Sequence, residues 1–142
     1  MFWAEKGQGA YLNGRRLRVS ARRELADSLF ATGIPFKGTA NQSEFIHQLG
    51  AVMKECAGVR RYGAAALDMA YVAAGRYEGY WEYGINAWDI AAGVVLIREA
   101  GGFVSEIDGG SKYLTNRNVL AATPEMHGVL GNILRTATPK TT

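Results

Sequence analysis

Residues 82–102 read EYGINAWDIAAGVVLIREAGG, Glu82 to Gly102. From Trp88 onward the apolar positions recur at three- and four-residue steps. Trp88, Ala91, Ala92, Val95, Leu96 and Glu99 form one stripe, and Gly101-Gly102 supplies a stop, so the spacing predicts a helix. Asn86 is placed to act as its N-cap, which makes Asp89 the third helical residue. A carboxylate there can reach back to the backbone and favour the positive end of the helix dipole. The same carboxylate can instead point outward to a ligand. The local pattern leaves both readings open.

Working outward, strands and helices alternate. Upstream, SLFATGIP (28–35) reads as a buried strand ending in a Gly/Pro loop, and NQSEFIHQLGAVMKECAG (41–58) as a helix with Phe45, Leu49, Val52, Met53 and Cys56 on one stripe. VRRYG is a short strand running into a helix, AAALDMAYVAAG, and YEGYWEYGI alternates like a strand up to the Trp88 helix. Downstream, GGFVSEID and NVLAAT read as two strands, and PEMHGVLGNILRT as a helix with Pro124 at its start. This alternation predicts an α/β layer with a mostly parallel sheet. The first twenty residues stand apart. Gly7 and Gly9 break the first run, and Asn13-Gly14 between Ala10–Leu12 and Arg15–Val19 signals a two-residue β-hairpin, the margin of a separate antiparallel sheet.

Composition narrows the class without naming a chemistry. The chain has 142 residues, 48% apolar and 20% charged, which suits one core of ordinary size. No apolar run is long enough to span a bilayer, and a secretory leader pattern is not seen, so the expected setting is cytoplasmic, with no membrane partner. The single cysteine, Cys56, excludes an intrachain disulfide and any cysteine-based zinc site. The net charge of +3 is mild, and its densest contribution is RRLRVSARR, five arginines between Arg15 and Arg23. That run reads as a solvated hairpin and loop, or as a surface for RNA or acidic partners.

In open α/β sheets, ligands gather beyond the carboxyl ends of the strands, where helices present their N-termini. Three features fall there. The turn Gly63–Ala66 joins VRRY to its helix, with side chains small enough for a ligand to approach backbone N–H groups or for helix and sheet to pack closely. Glu82 ends YEGYWE, as a hydroxyl acceptor or a strand-end acid. Asp89 opens the following helix. His47 and His127 read as surface or half-buried helical residues, Asp68 as a buried hydrogen-bonding acid, and nothing beside Cys56 would lower its pKa. Walker loop, dinucleotide fingerprint and nucleophile elbow are not seen.

WDIAAGVVLIREAGG resembles the C-terminal signature of the inositol monophosphatase family, in which Trp-Asp precedes small residues and the helix ends in Glu-Ala-Gly-Gly. The resemblance extends in order through GQGAYLNGRRLRVS, GAAALDMAYVAAGRYEGYWE and NVLAAT, and is strongest to the bacterial branch of extragenic suppressor proteins. It implies hydrolysis of phosphate monoesters with Mg²⁺. It implies Asp89 as a metal ligand that also approaches the inositol ring, Glu82 as a binder of ring hydroxyls, and Gly63, Ala64 and Ala65 as the lining of the substrate turn. The family often carries Thr or Ser where this chain has Ala64, which leaves only backbone contacts there.

A larger departure concerns the metal. The family's metal-binding glutamate and Asp-Pro-Ile/Leu-Asp-Gly-Thr motif have no match, since Asp27-Ser28 and Asp108-Gly109 lack the required neighbours. The chain therefore reads as the C-terminal half of the family's fold. Residues 1–20 are expected to be the hairpin margin of the antiparallel sheet, 21–136 the α/β unit, and 137–142 a frayed tail. No catalytic residue is assigned, and the chain alone is expected to be inactive. The expected ligand is an inositol phosphate or similar phosphorylated polyol, with sugar, nucleotide or histidinol phosphates as alternatives. Expected partners are the missing half or a second copy, a homodimer through a hairpin exposing Phe2, Trp3 and Tyr11. Association with RNA or transcription proteins, as in relatives of the bacterial branch, is the non-catalytic alternative.

Overall fold

The computed structural model describes residues 1–35 and 42–137; the expected helix start at Asn41 and the tail beyond 137 lie outside them. A small antiparallel sheet comes first, with strands β1 (Phe2–Glu5), β2 (Gly9–Leu12) and β3 (Arg15–Arg16) side by side in that order. Asn13 and Gly14 make the turn, with φ of 50° and 80°, the left-handed pair a two-residue hairpin needs. β3 is shorter than the expected run to Val19. Leu17 turns into the core, and the Val19 N–H donates to the Ala100 carbonyl.

The larger sheet holds β4 (Leu29–Thr32), β5 (Gly58–Arg60), β6 (Gly79–Tyr83), β7 (Phe103–Ser105) and β8 (Asn118–Ala122), ordered β5-β4-β6-β8-β7. β5, β4 and β6 pair in parallel, while β8 lies antiparallel to both β6 and β7. Four strands thus share one direction and β8 alone is reversed. The connecting helices are α1 (Gln42–Met53), α2 (Ala65–Ala73), α3 (Ala87–Glu99) and α4 (Tyr113–Asn116), and α5 (Pro124–Ala137) closes the described chain. α4 is a single turn that no periodicity announced.

Strand alternation assigns each face its core. Ala31, Tyr80, Val119 and Ala121 pack with α2 and α3, whereas Phe30, Trp81, Leu120 and Ala122 pack with α1 and α5. The small sheet adds Ala10, with Phe2, Ala4 and Leu12 half-buried, to the first core, so α3 is covered by protein on two sides. That corrects its predicted stripe. Ile90, Gly93, Val94, Leu96 and Ile97 are buried, while Trp88, Ala91 and Ala92 are exposed, Trp88 by 79%. A helix apolar on two sides gives a shallow periodic signal, and its phase is easily misread. In α1 the stripe also shifts: Met53 is exposed, and Gln48 is buried, donating to the Tyr83 hydroxyl at 2.8 Å. Phe2 packs edge-on against Tyr71, and Trp3, 45% exposed, stacks on Tyr11 at 4.6 Å between centroids.

Candidate functional site

The common direction of β4, β5 and β6 sets their carboxyl ends side by side, with Ala31 beside Arg60 and Thr32 beside Trp81. A cleft of about 580 Å³ opens at that end. Gly63, Ala64, Ala65, Glu82 and Asp89 all line it, so the turn before α2, the end of β6 and the start of α3 meet as the sequence suggested. Gly33, Arg61, Tyr83 and Arg117 also line it, and sequence reasoning missed them. Gly33 in ATGIP looked like a turn residue and Arg61 like part of a strand. Arg117 had no local signal. It arrives because β8 is reversed, which places Asn118 opposite Tyr83. The Arg117 guanidinium then donates to the Gly84 carbonyl at 2.9 Å, while the Gly84 and Ile85 N–H groups donate to the Arg117 carbonyl. The loop between β6 and α3 is pinned from across the sheet.

The expected capping at α3 does not form. Asn86 makes no side-chain cap hydrogen bond, and the Asp89 carboxylate has none to any described residue, while the Asp89 backbone N–H donates to the Asn86 carbonyl. α2 likewise begins at Ala64 without a side-chain cap. Two helix N-termini therefore face one cleft with first-turn donors that no side chain satisfies. Gly63, with φ of 82°, makes the sharp entry to α2.

The carboxylates around the cleft are under-satisfied. Burial pushes the Glu82 pKa up; the hydrogen bond from Tyr80 opposes this, and the Asp89 charge adds to it. Asp68 in α2 is 1% exposed, and its Oδ1 has no hydrogen-bond partner. The hydrogen bonds expected of this buried acid do not form among the described residues. Burial, with the Glu82 charge added, raises its pKa to about 7 despite Arg61. His47, Cys56 and His127 do not line the cleft. Burial raises the Cys56 pKa, and the His127 ring sits 2.8 Å from Ser105 Oγ.

Among the described residues, no three His, Cys, Asp or Glu side chains assemble into a group that could hold a metal ion. Asp89 fits one ligand position. A complete Mg²⁺ shell would need further oxygens from substrate, water or residues beyond those described. No described helix is long and apolar enough to cross a membrane.

An α/β layer with acids at the carboxyl ends of parallel strands, beside a small antiparallel sheet, defines a class that comparison with known proteins makes specific. Residues 1–138 match the inositol monophosphatase family, and the chain belongs to that family. It is 54% identical over 121 residues to the inositol-1-monophosphatase of Mesorhizobium japonicum, covering 85% of this chain and 46% of that protein. It is 49% identical over 126 residues to the Nus factor SuhB of Escherichia coli K12, covering 89% and 47%. Among solved structures, the extragenic suppressor protein suhB of Bartonella henselae superposes with a TM-score of 0.90 at 46% identity, over 94% of this chain and 51% of that one. The inositol monophosphatase of Anabaena gives 0.87 at 40%, over 97% and 57%. The chain spans about half the length of the relatives it matches.

Proposed function

We propose that this chain is the substrate-side half of a Mg²⁺-dependent phosphatase acting on an inositol phosphate or a similar phosphorylated polyol. The observation that carries the reading is the convergence of Glu82 and Asp89 on one cleft with the uncapped start of α2 at Gly63–Ala65. Each wall suits one part of such a ligand. First-turn N–H groups suit phosphate oxygens. Glu82 accepts from ring hydroxyls, and Asp89 offers a carboxylate to the cation and the ring. When bound, Mg²⁺ would supply charge stabilisation and activate water. Glu82 favours a polyol without selecting inositol among sugar, nucleotide or histidinol phosphates.

With one carboxylate available to a cation, the chain by itself is expected to be inactive, the remaining ligands coming from outside it. The test is inositol 1-phosphate hydrolysis under saturating Mg²⁺. Turnover of about 1 s⁻¹ or more, abolished by Asp89→Asn, would overturn this. The exposed arginines at 15, 16, 18 and 23 favour a competing reading, association with RNA or a transcription protein. The half-exposed Trp3–Tyr11 stack and the open edges of the small sheet also favour a homodimer. Light scattering at tens of micromolar protein is expected to give twice 15.4 kDa; a clean monomer would exclude it.

A further inference from the structure

We propose that Tyr80 is a positioning residue for ligand recognition, holding the Glu82 carboxylate so that one oxygen is fixed by the protein and the other accepts from a ligand hydroxyl. This rests on the reading of Glu82 as the polyol-binding carboxylate. Tyr80 is 0% exposed, and its hydroxyl donates to Glu82 Oε1 at 2.5 Å. The two residues stand two apart on β6 and so face the same side of the sheet. Glu82 makes no other hydrogen bond among the described residues, and neither does the Tyr80 hydroxyl.

A second contact fixes the same group. The parallel register that sets Thr32 beside Trp81 brings Gly33 alongside Glu82, and a Cβ built on Gly33 would stand 2.1 Å from Glu82 Oε1 and 2.6 Å from Oε2. The carboxylate occupies the space where a Gly33 side chain would be. Glu82 is therefore held from below by a phenol and seated against bare backbone, in one orientation before any ligand arrives. Such preorganisation removes the rotamer cost that a free glutamate pays on binding. The Tyr80 hydrogen bond also favours the ionised, accepting form against the opposing effects of burial and Asp89. A phenylalanine would fill the same core volume; only the hydroxyl does this work.

The test is calorimetric titration of the full chain, with Mg²⁺ present, by myo-inositol 1-phosphate and separately by orthophosphate. Tyr80→Phe is expected to weaken inositol 1-phosphate binding roughly three- to tenfold, the ordering cost of a carboxylate no longer held in place, and to leave orthophosphate binding unchanged. In a Glu82→Ala background it should add no further loss. Gly33→Ala should reproduce the phenotype, because its Cβ meets the end of a flexible side chain and displaces the carboxylate without disturbing backbone. Wild-type affinity in Tyr80→Phe, alongside a loss in Glu82→Ala, would overturn the positioning role and leave the cleft reading intact. Equal loss of both ligands in Tyr80→Phe would also overturn it, as general structural damage. If the wild-type chain does not distinguish the two ligands, or Glu82→Ala binds normally, the reading of the cleft fails and this inference fails with it.

Discussion

The two ends of β6 carry one glutamate each, and they are treated in opposite ways. Glu78, just before the strand, is 2% exposed and fully engaged. It accepts from the Leu29 N–H at 2.6 Å and the Ser20 hydroxyl at 3.1 Å, and pairs with the Arg22 guanidinium at 3.1 Å. Glu82, four residues on, accepts one hydrogen bond and shares its surroundings with Asp89, which has none, and Asp68, which is short of a partner. Buried carboxylates in a finished structure are satisfied, and Glu78 conforms. The far end concentrates acids the protein has not neutralised, as expected where a ligand is to complete the set. One end of the strand is built for stability, and the other is the one the proposed function assigns to binding.

The largest expected effect lies at the structural end. Glu78→Ala leaves the Leu29 N–H and Arg22 without their acceptor and is expected to cost roughly 2–4 kcal/mol of stability. Glu82→Gln, which keeps an acceptor for Tyr80, is expected to cost less than about 1 kcal/mol. Urea denaturation of both variants measures the difference, and equal losses would erase the distinction between the two ends.

A pH-dependent effect sharpens the other end of the strand. The pKa of Asp68 is pushed up to about 7 in the folded chain, against about 3.9 for an ordinary aspartate. Below about pH 4 both folded and unfolded chains carry its proton. Between there and pH 7 the unfolded chain releases the proton while the folded chain keeps it, so stability falls as pH rises. Above pH 7 the contribution is flat. The fall is on the order of 4 kcal/mol at most, and Glu82, also raised, adds to it in the same direction. Asp68→Asn is expected to flatten this part of the stability-against-pH curve and to gain relative to the parent above pH 7. Parallel curves for the two proteins would show that Asp68 ionises normally.

How much of this was legible in the chain depends on range. The Asn13-Gly14 turn, the alternation of strands and helices, and the adjacency of Glu82 and Asp89 are local. Each follows from turn chemistry, from periods of 2 and 3.6, or from a helix starting a few residues after a strand ends. The family signature extended that reading to the cleft. The buried face of α3 was not legible, because a helix enclosed by two sheets carries apolar residues on more than one side. The absent caps at Asn86 and Asp89 were not legible either, since capping is a matter of side-chain direction that residue type only permits.

What the sequence by itself determined is therefore the class of layer, the hairpin, and which acids would stand at the ends of neighbouring elements. Tertiary structure alone decided the reversed strand β8, and with it the arrival of Arg117 at the cleft. It alone decided that Gly33 would give its side-chain space to Glu82, and that the buried Asp68 would lack a full set of partners. The physical reason is that these depend on which strands become neighbours and in what register. That choice is made by burying both faces of the sheet at once, and no window of adjacent residues contains it.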